Sequence, residues 1–285
     1  MPTQLPDNLE LGAILEREDP RDALVVSPRL PKETTLATLP QGATIGTSSV
    51  RRSATLRKLF PHLRFADLRG NVGTRLAKLD AEDSPYSAII LAAAGLKRMG
   101  LDHRITQYLS SASGGMLHAV GQGALGIEIR KGDEATKALL SKIRCERTTR
   151  ACSAERALLR TLEGGCSVPI GVETSWRGGR GVATGAQPAK DYDKHGHPVG
   201  EEEPGVDDQE LVLRALVVSV DGTESVECEL TQKVRSVEDA ETMGQQVALM
   251  LIEKGAGEIL QKINVEKKWA AKKQLEEVEK VSTVS

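Results

Sequence analysis

Gly46-Thr47-Ser48-Ser49-Val50-Arg51-Arg52 follows a short apolar-leaning run, Ala43 to Ile45, and opens a segment whose Val50, Ala54, Leu56, Leu59 and Phe60 can form one apolar side. This order reads as a strand, a tight turn and a helix start, with hydroxyl side chains at the helix cap. Free backbone N–H groups and the helix dipole favour an anion at such a place. Acidic residues normally occupy that first turn, so two arginines there need a reason. A bound carboxylate or phosphate supplies one, because the planar guanidinium fork matches a planar oxyanion. A solvated basic helix end would account for the same residues.

The pattern repeats downstream. Arg64-Phe65-Ala66-Asp67-Leu68 leads into Arg69-Gly70-Asn71-Val72-Gly73 and a helix carrying Thr74, Arg75, Leu76 and Leu79. Ser87 to Ala92 leads into Ala93-Ala94-Gly95-Leu96, then Lys97, Arg98 and Met99. Three strand–loop–helix units in succession predict an α/β fold with a parallel, doubly wound sheet. Upstream, Asp22 to Ser27 reads as a buried strand, and Leu36 to Leu39 as a short helix or turn. Arg51 and Arg52, Arg69 and Arg75, and Arg98 each fall just past the carboxyl end of an expected strand. In open α/β sheets those ends line the ligand crevice. Their convergence predicts a site for a ligand bearing several carboxylates or phosphates.

Leu9 to Leu15 alternates loosely and reads as a strand with no preceding unit to cover it. Gly121-Gln122-Gly123, set between apolar residues, lacks the dinucleotide-binding spacing and reads as a close-packed bend. A helix is expected over roughly 148–162, with Ala151, Ala154, Leu158 and Leu159 on its apolar side, stopping at Glu163-Gly164-Gly165. Cys166 follows directly. A lone cysteine beside an apolar strand is usually packing, but two glycines leave room for a bulky group to reach the sulfur, so a covalent anchor is the alternative. Residues 187–210 are polar and read as a surface insert; His195 and His197 near Asp191 and Asp193 could hold a metal, but a solvated loop is the expectation, and no metal site is assigned. Leu211 to Val220, Asp221-Gly222 and Ser225 to Leu230 form a hairpin pattern. A helix from about Val237 to Lys254 stops at Gly255, and a Lys/Glu-rich tail begins at Val265.

Composition narrows the function classes. The 285 residues have room for two domains and a small third, and a net charge of −2 makes any basic site local. Aromatic residues are only 2% of the chain, too few to stack bases, so nucleic acid is not an expected partner. No apolar run approaches the roughly 18 residues of a membrane span, and no membrane partner is expected. Cys145, Cys152, Cys166 and Cys228 are too sparse for a disulfide framework, and the first residues lack a signal-peptide core. A reducing, cytoplasmic setting is expected.

Six segments, Gly46 to Arg52, Leu68 to Asn71, Thr74 to Leu76, Ala94 to Leu96 with Arg98, Val120 to Gly126 and Glu163 to Pro169, together resemble the porphobilinogen deaminase (hydroxymethylbilane synthase) family. They match in order over nearly the whole chain, apart from residues 187–210 and the tail. The resemblance implies a transferase of haem (tetrapyrrole) biosynthesis that joins four porphobilinogen units head to tail, with loss of ammonia, to give hydroxymethylbilane. It implies two domains like those of periplasmic binding proteins and a small α+β third domain. Residues 1–17 and 119–143 would be an incomplete first domain, residues 18–118 an α/β anion-binding second, and residues 144–285 the cofactor-attachment domain, with 187–210 a mobile insert.

By the same resemblance, Cys166 carries a dipyrromethane cofactor through a thioether, and Ser48, Ser49, Arg51, Arg52, Arg69 and Arg75 hold its carboxylates. Arg98, with Arg51 and Arg75, binds porphobilinogen and the growing polypyrrole chain. The family's aspartate lies directly before a Leu/Met-Pro-Thr sequence, which here would put it one position before Met1. No catalytic residue is therefore assigned; Asp67, Asp80, Asp102 and Glu128 do not match its motif. The expectation is a truncated form, monomeric when complete, with its own turnover in question and its first-domain strands left uncovered and prone to disorder or aggregation. Two other readings stay open: a non-catalytic anion-binding module of the periplasmic-binding type, and a remnant without a ligand.

Overall fold

A computed structural model describes residues 2–162, 168–178 and 209–265. Three short strands that end at the arginine-bearing turns form one side of its largest sheet. These are β3 (Thr44–Gly46), β4 (Arg64–Ala66) and β5 (Ala88–Ala92), with β3 parallel to both neighbours. Each leads into a helix: α1 (Val50–Leu59), α2 (Val72–Asp80) and α3 (Ala93–Arg98). The parallel arrangement expected for these three units is present.

The remaining strands of this sheet, β2 (Asp22–Val26) and β6 (Gln107–Leu109), correct the all-parallel expectation. The order is β4-β3-β5-β2-β6, and β2 runs antiparallel to both β5 and β6. The direction of β2 has a topological cause, because it enters the sheet from a neighbouring unit through residues 15–21. Its first residue, Asp22, consequently pairs with Ala92 at the carboxyl end of β5. A parallel β2 would have carried that carboxylate to the opposite edge.

Alternation along the strands separates two cores. Leu24, Val26, Ile45 and Ile90 pack with Leu56 of α1, whereas Ala23, Val25, Ile89 and Leu91 pack with Leu76 and Leu79 of α2 and Leu96 of α3. Helices therefore cover both faces of the sheet; β2 is buried throughout, and β3 and β5 are buried except for Thr44 and Ala92. Residues 36–38 form the turn expected there.

The expected N-terminal strand exists as β1 (Leu9–Ile14), but it is not left without a neighbour. It pairs antiparallel with β7 (Gly126–Arg130) across a register shift between Leu11 and Ala13. The ladder is backed by α4 (Glu134–Leu140), whose Leu140 sits against Gly12 so closely that a Cβ there would lie 2.9 Å from its Cδ1. The Gly121–Gly123 bend is as tight as anticipated. A Cβ on Gly123, at φ 83°, would come within 2.4 Å of the Glu18 carbonyl oxygen.

The C-terminal part is a three-stranded antiparallel sheet, β8 (Ile170–Arg177), β9 (Glu210–Val218) and β10 (Ser225–Lys233), in the order β10-β9-β8. Two helices, α5 (Glu146–Thr161) and α6 (Val237–Glu253), join it in one core containing Ala154, Leu158, Leu213, Ala215, Val217, Val247 and Leu251. Helix α6 starts at a capping box formed by Ser236 and Asp239. Helical residues 256–265 follow it. No helix among the described residues is long and apolar enough to cross a membrane.

This sheet docks on the larger one. Ala54, Leu117, Leu216 and Val218 form a shared apolar cluster, and Arg57 donates to the Val220 carbonyl at 2.9 Å. Gly222 at the β9–β10 turn lies so close to α1 that a Cβ would meet the Lys58 nitrogen at 2.8 Å. The whole is a mixed α/β protein.

Candidate active site

Helix α1 begins where the sequence placed it. Ser49 caps it by accepting from the Arg52 N–H, and Arg57 and Lys58 in the last turn complement the dipole. Its buried side is different from the expected one. Ala54 and Leu56 are buried, but Leu59 remains 37% exposed, and Arg51 and Arg52 turn inward in place of an apolar residue.

The cause is Asp22, which has no exposed side-chain surface. Arg51 Nη1 donates to Asp22 Oδ2 at 2.7 Å and also to the Leu117 carbonyl. Arg52 Nε and Nη2 both donate to Oδ1, at 3.0 and 2.7 Å, while its Nη1 donates to the Ile90 carbonyl at 2.8 Å. Gln122 completes the cluster, donating from Nε2 to Oδ1 at 3.0 Å and to the Pro20 carbonyl at 2.7 Å. Burial alone would raise the Asp22 pKa, but the two guanidinium charges overcome that and hold it well below the usual carboxylate range. Two arginines and one aspartate leave a local charge of +1. Among the described residues nothing engages Nε or Nη2 of Arg51, whereas all three nitrogens of Arg52 donate to protein oxygens.

The other residues singled out in the sequence occupy varied settings. Ser48 Oγ accepts the Leu68 N–H at 3.0 Å, so both serines brace backbone and each retains its hydroxyl proton for an anion. Arg75, half-buried, donates from Nε to the Gly70 carbonyl at 2.7 Å. Burial lowers the Arg52 pKa, and the charges of Arg51 and Arg75 add to the effect, which places Arg75 in the same electrostatic neighbourhood. Arg69 is 81% exposed and only 3.7 Å from Asp67. Arg98, exposed at the last position of α3, has no hydrogen bond or ion pair among the described residues. Arg51 and Arg52 are thus brought together, Arg75 is near enough for its charge to act on Arg52, and Arg69 and Arg98 project into solvent. Cys166, His195 and His197 lie outside the described residues. Among the described residues no cluster of metal-binding side chains forms.

A second buried cluster lies on the two segments that cross between the units. Arg17 Nη1 and Nη2 grip both oxygens of Glu155 on α5, at 2.6 and 3.1 Å, and Arg17 Nε donates to the Gln122 carbonyl at 2.9 Å. Glu155 also accepts from the Gly121 N–H at 2.7 Å and the Thr174 hydroxyl at 2.8 Å. Burial would raise its pKa, but the charges of Arg17 and His118 together with the hydrogen bonds from Arg17 and Gly121 outweigh this and lower it. His118 adjoins this cluster with Nε2 buried and unpartnered, and burial depresses its pKa. Asp22, Gln122, Arg17 and Glu155 did not emerge from the sequence reading. One signal was available: an aspartate opening the otherwise apolar run Asp22 to Val26 must find cations once buried.

Guanidinium groups pinned and free at the strand ends of an α/β protein have the charge and the planar fork to pair with carboxylates. Residues 1–138 match the family described as porphobilinogen deaminase, dipyrromethane cofactor binding domain, and residues 149–182 match its C-terminal domain. The chain is 52% identical over 266 residues to a porphobilinogen deaminase of Yarrowia lipolytica, covering 93% of this chain and 69% of that one. Identity to the Neurospora crassa enzyme of that name is 48% over 269 residues (93% and 71%), and to that of Saccharomyces cerevisiae 47% over 268 residues (94% and 72%). The chain belongs to the porphobilinogen deaminase family. It is thereby an enzyme, a transferase of tetrapyrrole synthesis that uses a dipyrromethane cofactor, and the reading as a non-catalytic anion-binding module is not favoured.

Proposed function

We propose that the chain condenses four porphobilinogen units head to tail, with loss of ammonia, to hydroxymethylbilane, and that its arginine rim carries the acidic side chains of cofactor and substrate. The observation that carries this is the guanidinium cluster at the carboxyl ends of β3, β4 and β5. Arg51 keeps free donors there, Arg75 lies within electrostatic reach of Arg52, and Arg69 and Arg98 stand in solvent. The donor set suits the dipyrromethane group, because each of its rings bears two carboxylates and a guanidinium fork pairs with a carboxylate bidentately. Arg51, Arg52, Arg69 and Arg75, with Ser48 and Ser49, would hold that group, and Cys166 would anchor it through sulfur. When bound, it supplies the free pyrrole carbon from which the chain grows.

Arg98, Arg51 and Arg75 bind the substrate's acetate and propionate, fixing the ring so that its aminomethyl carbon faces the nucleophile. Loss of ammonia leaves positive charge on the pyrrole, which a nearby carboxylate would stabilise. Asp22 is already shared by two arginines, and no catalytic residue is assigned.

The domain reading follows the same line. Residues 18–118 form a doubly wound domain of the periplasmic-binding type, supported by helices on both sheet faces. Residues 144–285 form the cofactor-attachment domain. Residues 1–17 and 119–143 belong to an incomplete first domain, since a two-stranded ladder with one short helix cannot close a core of its own. The complete protein works as a monomer in the cytosol, a setting that fits its sparse cysteines, of which Cys145, Cys152 and Cys228 are unpaired among the described residues.

Intact mass of the full chain after incubation with porphobilinogen tests the proposal. The expected result is a covalent increment of two pyrrole units or more, absent from Cys166→Ala. An unmodified wild-type chain after that incubation would refute it.

A further inference from the structure

The arginines of α1 are adjacent in sequence, and adjacent residues of a helix project roughly 100° apart. Left to themselves, two like charges at a helix N-terminus repel each other and are disfavoured by the dipole, so both would swing into solvent. Here both point inward, with side chains 6% and 10% exposed, and one carboxylate reaches both. Asp22 achieves this by splitting its oxygens: Oδ2 takes Arg51, and Oδ1 takes Arg52 and Gln122.

We infer that Asp22 is a positioning residue of the reaction: it fixes Arg52 as a strut and aims the unoccupied Nε and Nη2 of Arg51 at the incoming carboxylate, with Gln122 holding Asp22 itself in place. The inference rests on the substrate reading above. Asp22 touches neither substrate nor cofactor, and acts through Arg51. It also sets the local charge at +1, so a carboxylate meets one uncompensated cation with a fixed fork in place of two mobile ones. The Gln122 side chain ties Asp22 and the Pro20 carbonyl together, while its own carbonyl accepts from Arg17. The aim of Arg51 is therefore joined to both crossing segments.

The test reads two quantities on the full chain: the porphobilinogen concentration giving half-maximal covalent loading, by intact mass, and the urea midpoint without substrate. Asp22→Asn keeps the shape but removes the charge and turns an acceptor into a donor facing guanidinium N–H groups. It should raise the half-loading concentration about thirtyfold or more. Gln122→Leu should raise it about threefold to tenfold.

Arg51→Gln should raise it as Asp22→Asn does, and adding either other substitution to Arg51→Gln should change it less than twofold, because the route through Arg51 is already gone. A merely structural Asp22 would lower the urea midpoint, and its loading defect would multiply with that of Arg51→Gln; that result overturns the inference. Should Asp22→Asn fail to fold, the cycle of Gln122→Leu with Arg51→Gln decides by the same rule. Normal loading of either variant refutes the positioning role and leaves the substrate reading intact. No loading of the wild type refutes both.

Discussion

The two buried carboxylates are near twins in burial and opposites in task. Asp22 and Glu155 both have no exposed side-chain surface, and both are kept ionised by arginine. Glu155 meets one guanidinium in a bidentate grip, and its remaining partners are a backbone N–H and a hydroxyl, so that cluster is electrically closed. Asp22 meets two, and the excess cation leaves donors of Arg51 unfilled. A closed cluster binds segments of the protein to one another, whereas an unbalanced one is ready for a ligand. Burial depth alone would not have distinguished them.

The largest expected effect comes from breaking the closed cluster. Glu155→Ala leaves the Arg17 charge buried without its partner and should cost about 3–5 kcal/mol of stability, read as a lower urea midpoint. If Glu155→Ala melted like wild type, the cluster would be ornamental and the contrast with Asp22 would disappear.

A substitution that strains both clusters should come next. Gly123 lies between them in the chain, and a Cβ there would collide with the Glu18 carbonyl in backbone geometry unfavourable to other residues. Gly123→Ala should lose about 2–4 kcal/mol, combining overpacking with left-handed strain. It should also weaken loading with porphobilinogen, since Gln122 would be displaced. A loss of stability with unchanged loading would show that the crossing segments do not reach Arg51.

Acid separates the groups by their onset. His118 is kept neutral in the folded state by burial, so the unfolded chain binds its proton first, and stability begins to fall as pH drops below about 6.5. The groups that act on it are Glu155, Arg17 and Arg51, with the Ala119 carbonyl bonded to Nδ1. Asp22 and Glu155 have folded pKa values below their unfolded ones, so their contribution is complete above about pH 5 and is lost as pH falls below about 4. Urea midpoints from pH 8 to 3 should decline in two stages, and His118→Phe should remove the first. A single stage in the wild type would mean that His118 charges freely when folded.

The smallest effect on stability belongs to Arg69. Its side chain is 81% exposed and its ion pair with Asp67 is long at 3.7 Å, so Arg69→Ala should leave the urea midpoint unchanged. The same variant should need several times more porphobilinogen for loading, the reverse of the Glu155→Ala pattern. Unimpaired loading would remove Arg69 from the rim.

Much of this was legible in the chain itself. The helix start at Ser49-Val50, the hairpin around Asp221-Gly222, α5, α6 and the buried apolar runs of β2 and β5 depend on caps, turn residues and apolar pattern, which act over a few neighbours. The ordered motifs from Gly46 to Arg52 through Val120 to Gly126 also carried the family. The partner of the arginines was not legible. Asp22 stands 29 and 30 positions from Arg51 and Arg52, and Glu155 stands 138 from Arg17. No local pattern specifies such pairs. They form because β2 enters antiparallel and delivers its first residue to the rim where its neighbours end, and because the crossing segments pass beside α5. Sequence set which side chains carry charge; topology decided which charges would cancel, since Coulomb attraction in a dry interior depends on distance in space and is indifferent to distance along the chain.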